Sequence, residues 1–187
     1  MLEEDEYKEL ARLFAKDEIK LAIFDMGAFK APRLDGYQAL FFQRYWDITG
    51  GQVIHTVLNV LEGRTFPESL NDTFLVSIPK VENPQSMTQQ RPIGLCNVSY
   101  KAITKSIANH LKQVLPKLIA PTQSSFVPGR QISDNIIIAQ DMLHTMRRKQ
   151  GQVGYMAVKI DLEKAYDRLR WPFIHETLLE AAFLSKW

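Results

Sequence analysis

The stretch "AVKIDLEKAYDRLRW" (residues 157–171) carries an apolar run up to Asp161 and sets a second aspartate, Asp167, six positions later. Met156, Val158 and Ile160 alternate with Ala157, Lys159 and Asp161. That period of two predicts a strand over "GYMAVKI" (154–160), with Asp161 at its end. An ionised carboxylate deep in a core is costly unless paired or bound to a metal, and the end of a strand lets it escape burial. Two roles suit it there. It can hold Mg²⁺, which takes oxygen donors and usually one or two protein carboxylates beside substrate phosphates. It can equally cap the following turn by accepting a backbone N–H. The residues of this stretch leave both open.

Outward from it, "WPFIHETLLEAAF" (171–183) reads as a helix with Pro172 in its first turn. Upstream, residues 134–149 form an amphipathic helix through Ile138, Met142 and Met146, and Arg147, Arg148 and Lys149 suit the negative pole of its dipole. The loop "PTQSSFVPGRQISDN" (121–135) precedes it, with a turn at Pro128–Gly129 and Ser133 placed to cap. In "YKAITKSIANHLKQVLPKLI", Ile103, Ile107, Leu111 and Val114 fall on one helical face, and Pro116 should end or kink the helix. Lys101, Lys105 and Lys112 fall on another face. Such a stripe can track phosphates or be a solvated face.

Further back, "TFLVSIPK" (73–80) is a short strand stopped by Pro79, and "RPIGL" (91–95) is its return across a polar, flexible stretch. The first third is helical. Asp17 can cap a helix bearing Ile19, Ala22, Ile23 and Met26, with Gly27 at its close. "KAPRLDG" is a loop, "YQALFFQRYW" (37–46) an aromatic-rich helix, and Val53, Val57 and Leu61 mark one face of another that ends at Gly63.

A chain of 187 residues, 45% of them hydrophobic, can build one sizeable core or a domain and a half, and is expected to be globular. Cys96 is the single cysteine, which excludes an intrachain disulfide and a cysteine-built zinc site. A reducing compartment fits it, so an intracellular location, nucleus or cytoplasm, is expected. The acidic start "MLEEDEYKEL" is no secretory signal, and no window approaches the ~20 apolar residues of a membrane span. Net charge is +2, yet the first nine residues stand at −4 and the remainder at +6. A mildly basic body suits nucleic acid, as it suits many solvated surfaces.

The motifs in order are "KAPRLDG", "LFFQRYWD", "FLVSIPK", "RPIGLCNVSYKAITKSIANHLK", "QSSFVPGRQISDN" and "YMAVKIDLEKAYDRLRW". This string, from about residue 17 to the end, closely resembles the reverse transcriptase of plant LINE-type (non-LTR) retrotransposons. The resemblance implies an α+β fold, the fingers of a right-hand polymerase built from helices and a β-hairpin, with a truncated palm. It divides the chain into an acidic segment (1–16), a helical extension (17–72), fingers (73–154) and the start of the palm (155–187). The residue matching Asp161 binds both catalytic Mg²⁺ ions in that family, together with two aspartates of a later Tyr-x-Asp-Asp turn. Two such ions clamp an in-line displacement at the primer 3′-hydroxyl. Tyr166 matches the aromatic residue under the incoming sugar, a role compatible with packing the palm, and Asp167 matches a supporting residue.

Lys80 and Arg91 match the basic residues of the fingers hairpin that grip the triphosphate, where an Arg fork can bind phosphate oxygens bidentately. Arg130 would help seat the template, with Gly129 allowing close backbone approach. The stripe Lys101, Lys105 and Lys112 would follow template phosphates. Implied partners are an RNA template, a DNA primer and deoxynucleoside triphosphates, with no membrane; the oligomeric state is left open.

The chain departs from the family pattern at Arg33–Leu34, Gln90, His110 and Arg170. It contains no Asp-Asp pair, so the Tyr-x-Asp-Asp turn is missing. The remaining palm, the thumb and the endonuclease of such elements are missing as well. This portion is therefore expected to bind Mg²⁺ weakly and not to polymerise alone, with an unpaired strand edge at 155–161 that invites aggregation. Two rival readings remain: a non-catalytic retrotransposon remnant that binds RNA, and a maturase-like protein. "LFFQRYWD" and "CNVSYKAITKSIANHL" look LINE-like rather than maturase-like.

Overall fold

A computed structural model describes residues 4–32, 35–162, 168–181 and 183. The architecture is α+β: the described residues form helices and one two-stranded antiparallel sheet. The chain divides into two compact units, Leu13–Asn109 and, in the other, Met1–Arg12 with His110–Trp187.

In the Leu13–Asn109 unit, α2 (Lys16–Phe24) follows α1 (Glu4–Ala11) of the other unit. The N-cap of α2 is Ala15, and Glu18 Oε2 accepts the Ala15 N–H at 2.8 Å. Asp17, expected to cap, instead sits in the first turn, where its charge meets the positive end of the helix. Next come α3 (Ala39–Arg44) and α4 (Trp46–Leu61), separated by a break at Tyr45. Gln43 Nε2 donates to the carbonyls of Ile23 and Met26, each at 3.0 Å. One side chain thus bonds the last turn of α2 and the carbonyl just past it, pinning α3 to that end.

The core of this unit is the set of faces read from periodicity. Ile19 and Ile23 of α2 meet Val53 and Val57 of α4, with Leu70, Val98, Ala102 and Ile103 closing the cluster. Trp46 packs against it and folds back over its own helix. A Cβ at Gly50 would lie 2.6 Å from the Trp46 ring, so glycine is what leaves the indole its place. Phe24 meets that ring edge-on at 5.7 Å.

The sheet pairs β1 (Thr73–Pro79) with β2 (Gln90–Cys96), from Thr73 opposite Cys96 to Pro79 opposite Gln90. The connection, expected to be flexible, carries its own bonds. A 3₁₀ turn spans Met87–Gln89, Gln85 N donates to Gln89 Oε1 at 2.6 Å, and Lys80 N donates to Gln89 O at 2.8 Å.

Helix α5 (Val98–Leu118) runs through the division between the units and keeps Pro116 in its last turn, so the expected stop comes two residues after the proline. In the second unit Leu10, Val114 and Phe183 form a small buried cluster with Leu111, Leu118 and Leu178 packed against it. Among the described residues two helices follow, α6 (Ile132–Arg148) and α7 (Trp171–Glu180). The N-cap of α6 is Gln131, and Ser133, expected at that position, lies inside the helix.

One expectation fails here, and one expected helix forms with its apolar face bare. No strand forms at 154–160, which runs without a ladder, its Met156, Val158 and Ile160 exposed. A β-strand satisfies its N–H and C=O groups on a neighbour, and none of the described residues offers 154–160 one. The apolar face of α6 is also uncovered: Ile138 and Met142 are exposed and no residue of the helix is buried. Among the described residues no helix is long and apolar enough to cross a membrane.

Candidate nucleotide and nucleic-acid interface

Strand alternation sorts the hairpin into two faces. Phe74, Val76 and Ile78 share one with Arg91, Ile93 and Leu95, because residues directly opposite in an antiparallel pair point to the same side. Continuing the alternation by one residue, through the bond from Lys80 N to Gln89 O, puts Lys80 on that face too. Lys80 and Arg91 are then diagonal neighbours, the geometry in which Cα atoms lie about 7–8 Å apart. Two long cationic side chains at that spacing can reach one polyanion. Both residues are exposed. The Lys80 ammonium donates to Thr88 O at 3.1 Å, while no hydrogen bond or ion pair to the described residues engages Arg91.

A second basic feature lies in the same unit. Lys30, Lys101 and Lys105 line an open groove of about 410 Å³ with Asp25, Met26, Gly27, Ala31 and Leu95. Lys105 is not a free cation: its Nζ sits 2.8 Å from Asp25 Oδ2 and donates to Asp25 O at 3.1 Å. With Asp25 counted, the groove keeps a net charge of +2 from its three lysines. The helix stripe supplies Lys101 and Lys105 to this groove. Lys30 joins them from a loop 71 residues before Lys101 in the chain, which no helical spacing could reveal; its only local signal is that it opens "KAPRLDG". Lys112 lies in the other unit, exposed.

Arg130 is occupied differently from the expectation. Its Nη1 donates to Ala120 O and Gln123 O, each at 2.6 Å, and its Nη2 to Pro116 O and Ile119 O, each at 3.0 Å. The guanidinium closes the C-terminal end of α5 and ties the loop after it, satisfying carbonyls the helix leaves open. Gly129 takes a positive φ of 76°, which places Arg130 for that turn. Nearby, Phe126 is 86% exposed with a φ of 65°, a left-handed backbone that side chains other than glycine's adopt at a cost.

Asp161 is exposed, at the end of the extended stretch, and so escapes the desolvation that a buried carboxylate would suffer. Its oxygens are the hard donors a divalent cation prefers. They stand alone: among the described residues no three His, Cys, Asp or Glu side chains gather where they could hold a metal ion. The described part of the chain thus supplies one candidate ligand and not a complete metal site. Tyr166 and Asp167 lie outside the described residues.

Against known proteins, the family described as reverse transcriptase (RNA-dependent DNA polymerase) matches residues 78–187, more than half of the chain. A relative, the Transposon TX1 uncharacterized 149 kDa protein of Xenopus laevis, is 34% identical over 167 residues. That alignment takes in 89% of this chain and 13% of the relative, so the chain spans a small part of the protein it matches.

Proposed function

Because the chain belongs to the reverse transcriptase (RNA-dependent DNA polymerase) family, we propose that it is the fingers and the start of the palm of a LINE-type (non-LTR) retrotransposon polymerase. The transposon relative supports the mobile-element origin, and the motif strings alone support the plant lineage. The parent reaction copies an RNA template onto a DNA primer from deoxynucleoside triphosphates. Fingers at 73–154 and palm from 155 remain the division we propose.

One observation carries the reading: the hairpin register brings Lys80 and Arg91 to one exposed face, with the Arg91 guanidinium unengaged among the described residues. A triphosphate holds several negative charges, and a planar guanidinium can take two phosphate oxygens while an ammonium acts as a second point charge. The basic groove of Lys30, Lys101 and Lys105 is assigned to template phosphates. Lys105 takes part only where phosphate competes with Asp25 for its ammonium. Lys112 is assigned the same role from its own unit. Arg130 acts on the template through the loop it holds.

Asp161 is the residue we assign to the divalent metal ions the family uses, Mg²⁺ by donor chemistry, with the other carboxylates coming from outside this chain. Tyr166 is assigned to the incoming sugar on the family motif.

Titration of the chain with a fluorescent deoxynucleoside triphosphate tests the hairpin assignment. Arg91→Ala and Lys80→Ala should each weaken binding about five- to tenfold, the scale of one charge-assisted contact. Equal affinity in wild type and both variants would remove the hairpin from the nucleotide site.

A further inference from the structure

Three of the chain's six methionines, Met142, Met146 and Met156, line one open groove of about 480 Å³. Two elements bring them there. Met142 and Met146 stand one helical turn apart on α6 and so share a face. Met156 arrives from the extended stretch beyond the helix, which is fastened beside α6 where the Lys149 ammonium sits over the Tyr155 ring, 3.7 Å from its centroid. Met142 is 62% exposed, Met156 85% exposed and Met146 half-buried, so the thioethers are open to a solute.

Charge and donor type narrow what that solute is. Among the described residues, Asp141 is the only charged side chain lining the groove, and no hydrogen bond or ion pair to them engages its carboxylate. A groove with one net negative charge favours a cation. Hard divalent ions take several oxygen donors, and a single carboxylate does not supply them. Thioether sulfur is soft, neutral and polarizable, and selects Cu(I) over those ions. A lining that served packing alone would need no sulfur, since leucine fills nearly the same volume.

We propose that Met142, Met146 and Met156 form a binding site for Cu(I), with the Asp141 carboxylate offsetting the charge of the ion. The site lies in the unit that holds His110–Trp187 and uses none of the residues assigned to nucleotide, template or Mg²⁺. It stands or falls apart from the polymerase reading.

The intact 187-residue chain carrying Cys96→Ser, which removes the competing thiol, is titrated anaerobically with Cu(I) against the chromogenic chelator ferrozine. The chain should withdraw one Cu(I) from the chelator, and X-ray absorption should show sulfur around the metal. Met142→Leu and Met156→Leu should each weaken binding about tenfold, the low end of what a lost metal contact costs. Both side chains are exposed and leucine keeps their apolar bulk, so the fold persists in either variant. Met87→Leu, in the hairpin connection, should change nothing. Thioethers carry no titrating proton, so affinity should stay level between about pH 5.5 and 8, a range in which a site built on histidines would weaken toward acid.

Two outcomes overturn the proposal. One is a Cys96→Ser chain that withdraws no Cu(I). The other is equal affinity in that chain and in the same chain with Met142→Leu, Met146→Leu and Met156→Leu combined, which would make the groove an apolar surface and nothing more.

Discussion

Removing the Arg130 side chain separates two roles for the same residue. In Arg130→Ala, the carbonyls of Pro116, Ile119, Ala120 and Gln123 all lose their guanidinium donor. A hydrogen bond to a charged group contributes about 1.5–3 kcal/mol when well buried, and much less where water can replace it. Only the bond to Ile119 O is partly buried. Taking it at about 1.5 kcal/mol and the three exposed ones at about 0.5 kcal/mol each gives a loss near 3 kcal/mol. Arg130→Lys keeps the charge but not the planar fork, and one ammonium cannot span four acceptors, so it should recover less than half. Urea unfolding followed by far-UV circular dichroism measures the loss as a lower midpoint at constant slope. A change under about 0.5 kcal/mol in Arg130→Ala, the range of an ordinary surface substitution, would refute the structural role. If RNA affinity fell in the same variant with stability unchanged, the guanidinium would instead face the template.

Gly50→Ala should destabilise. Alanine ordinarily gains up to about 1 kcal/mol over glycine inside a helix, but here its Cβ would meet the Trp46 ring at 2.6 Å, and displacing a packed indole should turn the gain into a net loss of about 1–2 kcal/mol in a thermal melt. Asp25→Asn should cost less than about 1 kcal/mol of stability because Asp25 is 75% exposed, yet tighten binding of an RNA oligomer by removing the negative charge beside the Lys105 ammonium, which keeps its bond to the Asp25 carbonyl. Weaker RNA binding in that variant would place the lysine groove outside the interface. The 187-residue chain alone, given template, primer, nucleotides and Mg²⁺, should show no primer extension in a gel assay, since it contains no Asp-Asp pair.

What the sequence revealed was local. Apolar spacing in α2, α4 and α5 identified Ile19, Ile23, Val53, Val57 and Ile103, all of which are buried. Pro79 and the β-rich runs on either side of the polar connection located the hairpin within a residue. Alternation at 154–160 was equally clear, but a strand requires a partner and that information lies outside its own residues. The amphipathic pattern of α6 likewise says which side seeks cover without supplying any. At the site, Lys80 and Arg91 came from the motif, and the hairpin register extended by one bond sets both on one face, which the motif did not say. The convergence of Lys30 on Lys101 and Lys105, the Asp25 pairing of Lys105 and the four-carbonyl hold of Arg130 join residues distant in sequence. Caps failed by small offsets, because Glu18 reaching back to Ala15 does for α2 what Asp17 had been expected to do.

The most direct measurement joins this chain to the remaining palm and thumb of a related reverse transcriptase and compares RNA-templated primer extension with Asp161 intact and in Asp161→Asn. The account predicts that extension vanishes in the variant while binding of the template and primer persists. Extension at the wild-type rate in Asp161→Asn would contradict the assignment of that carboxylate to the reaction.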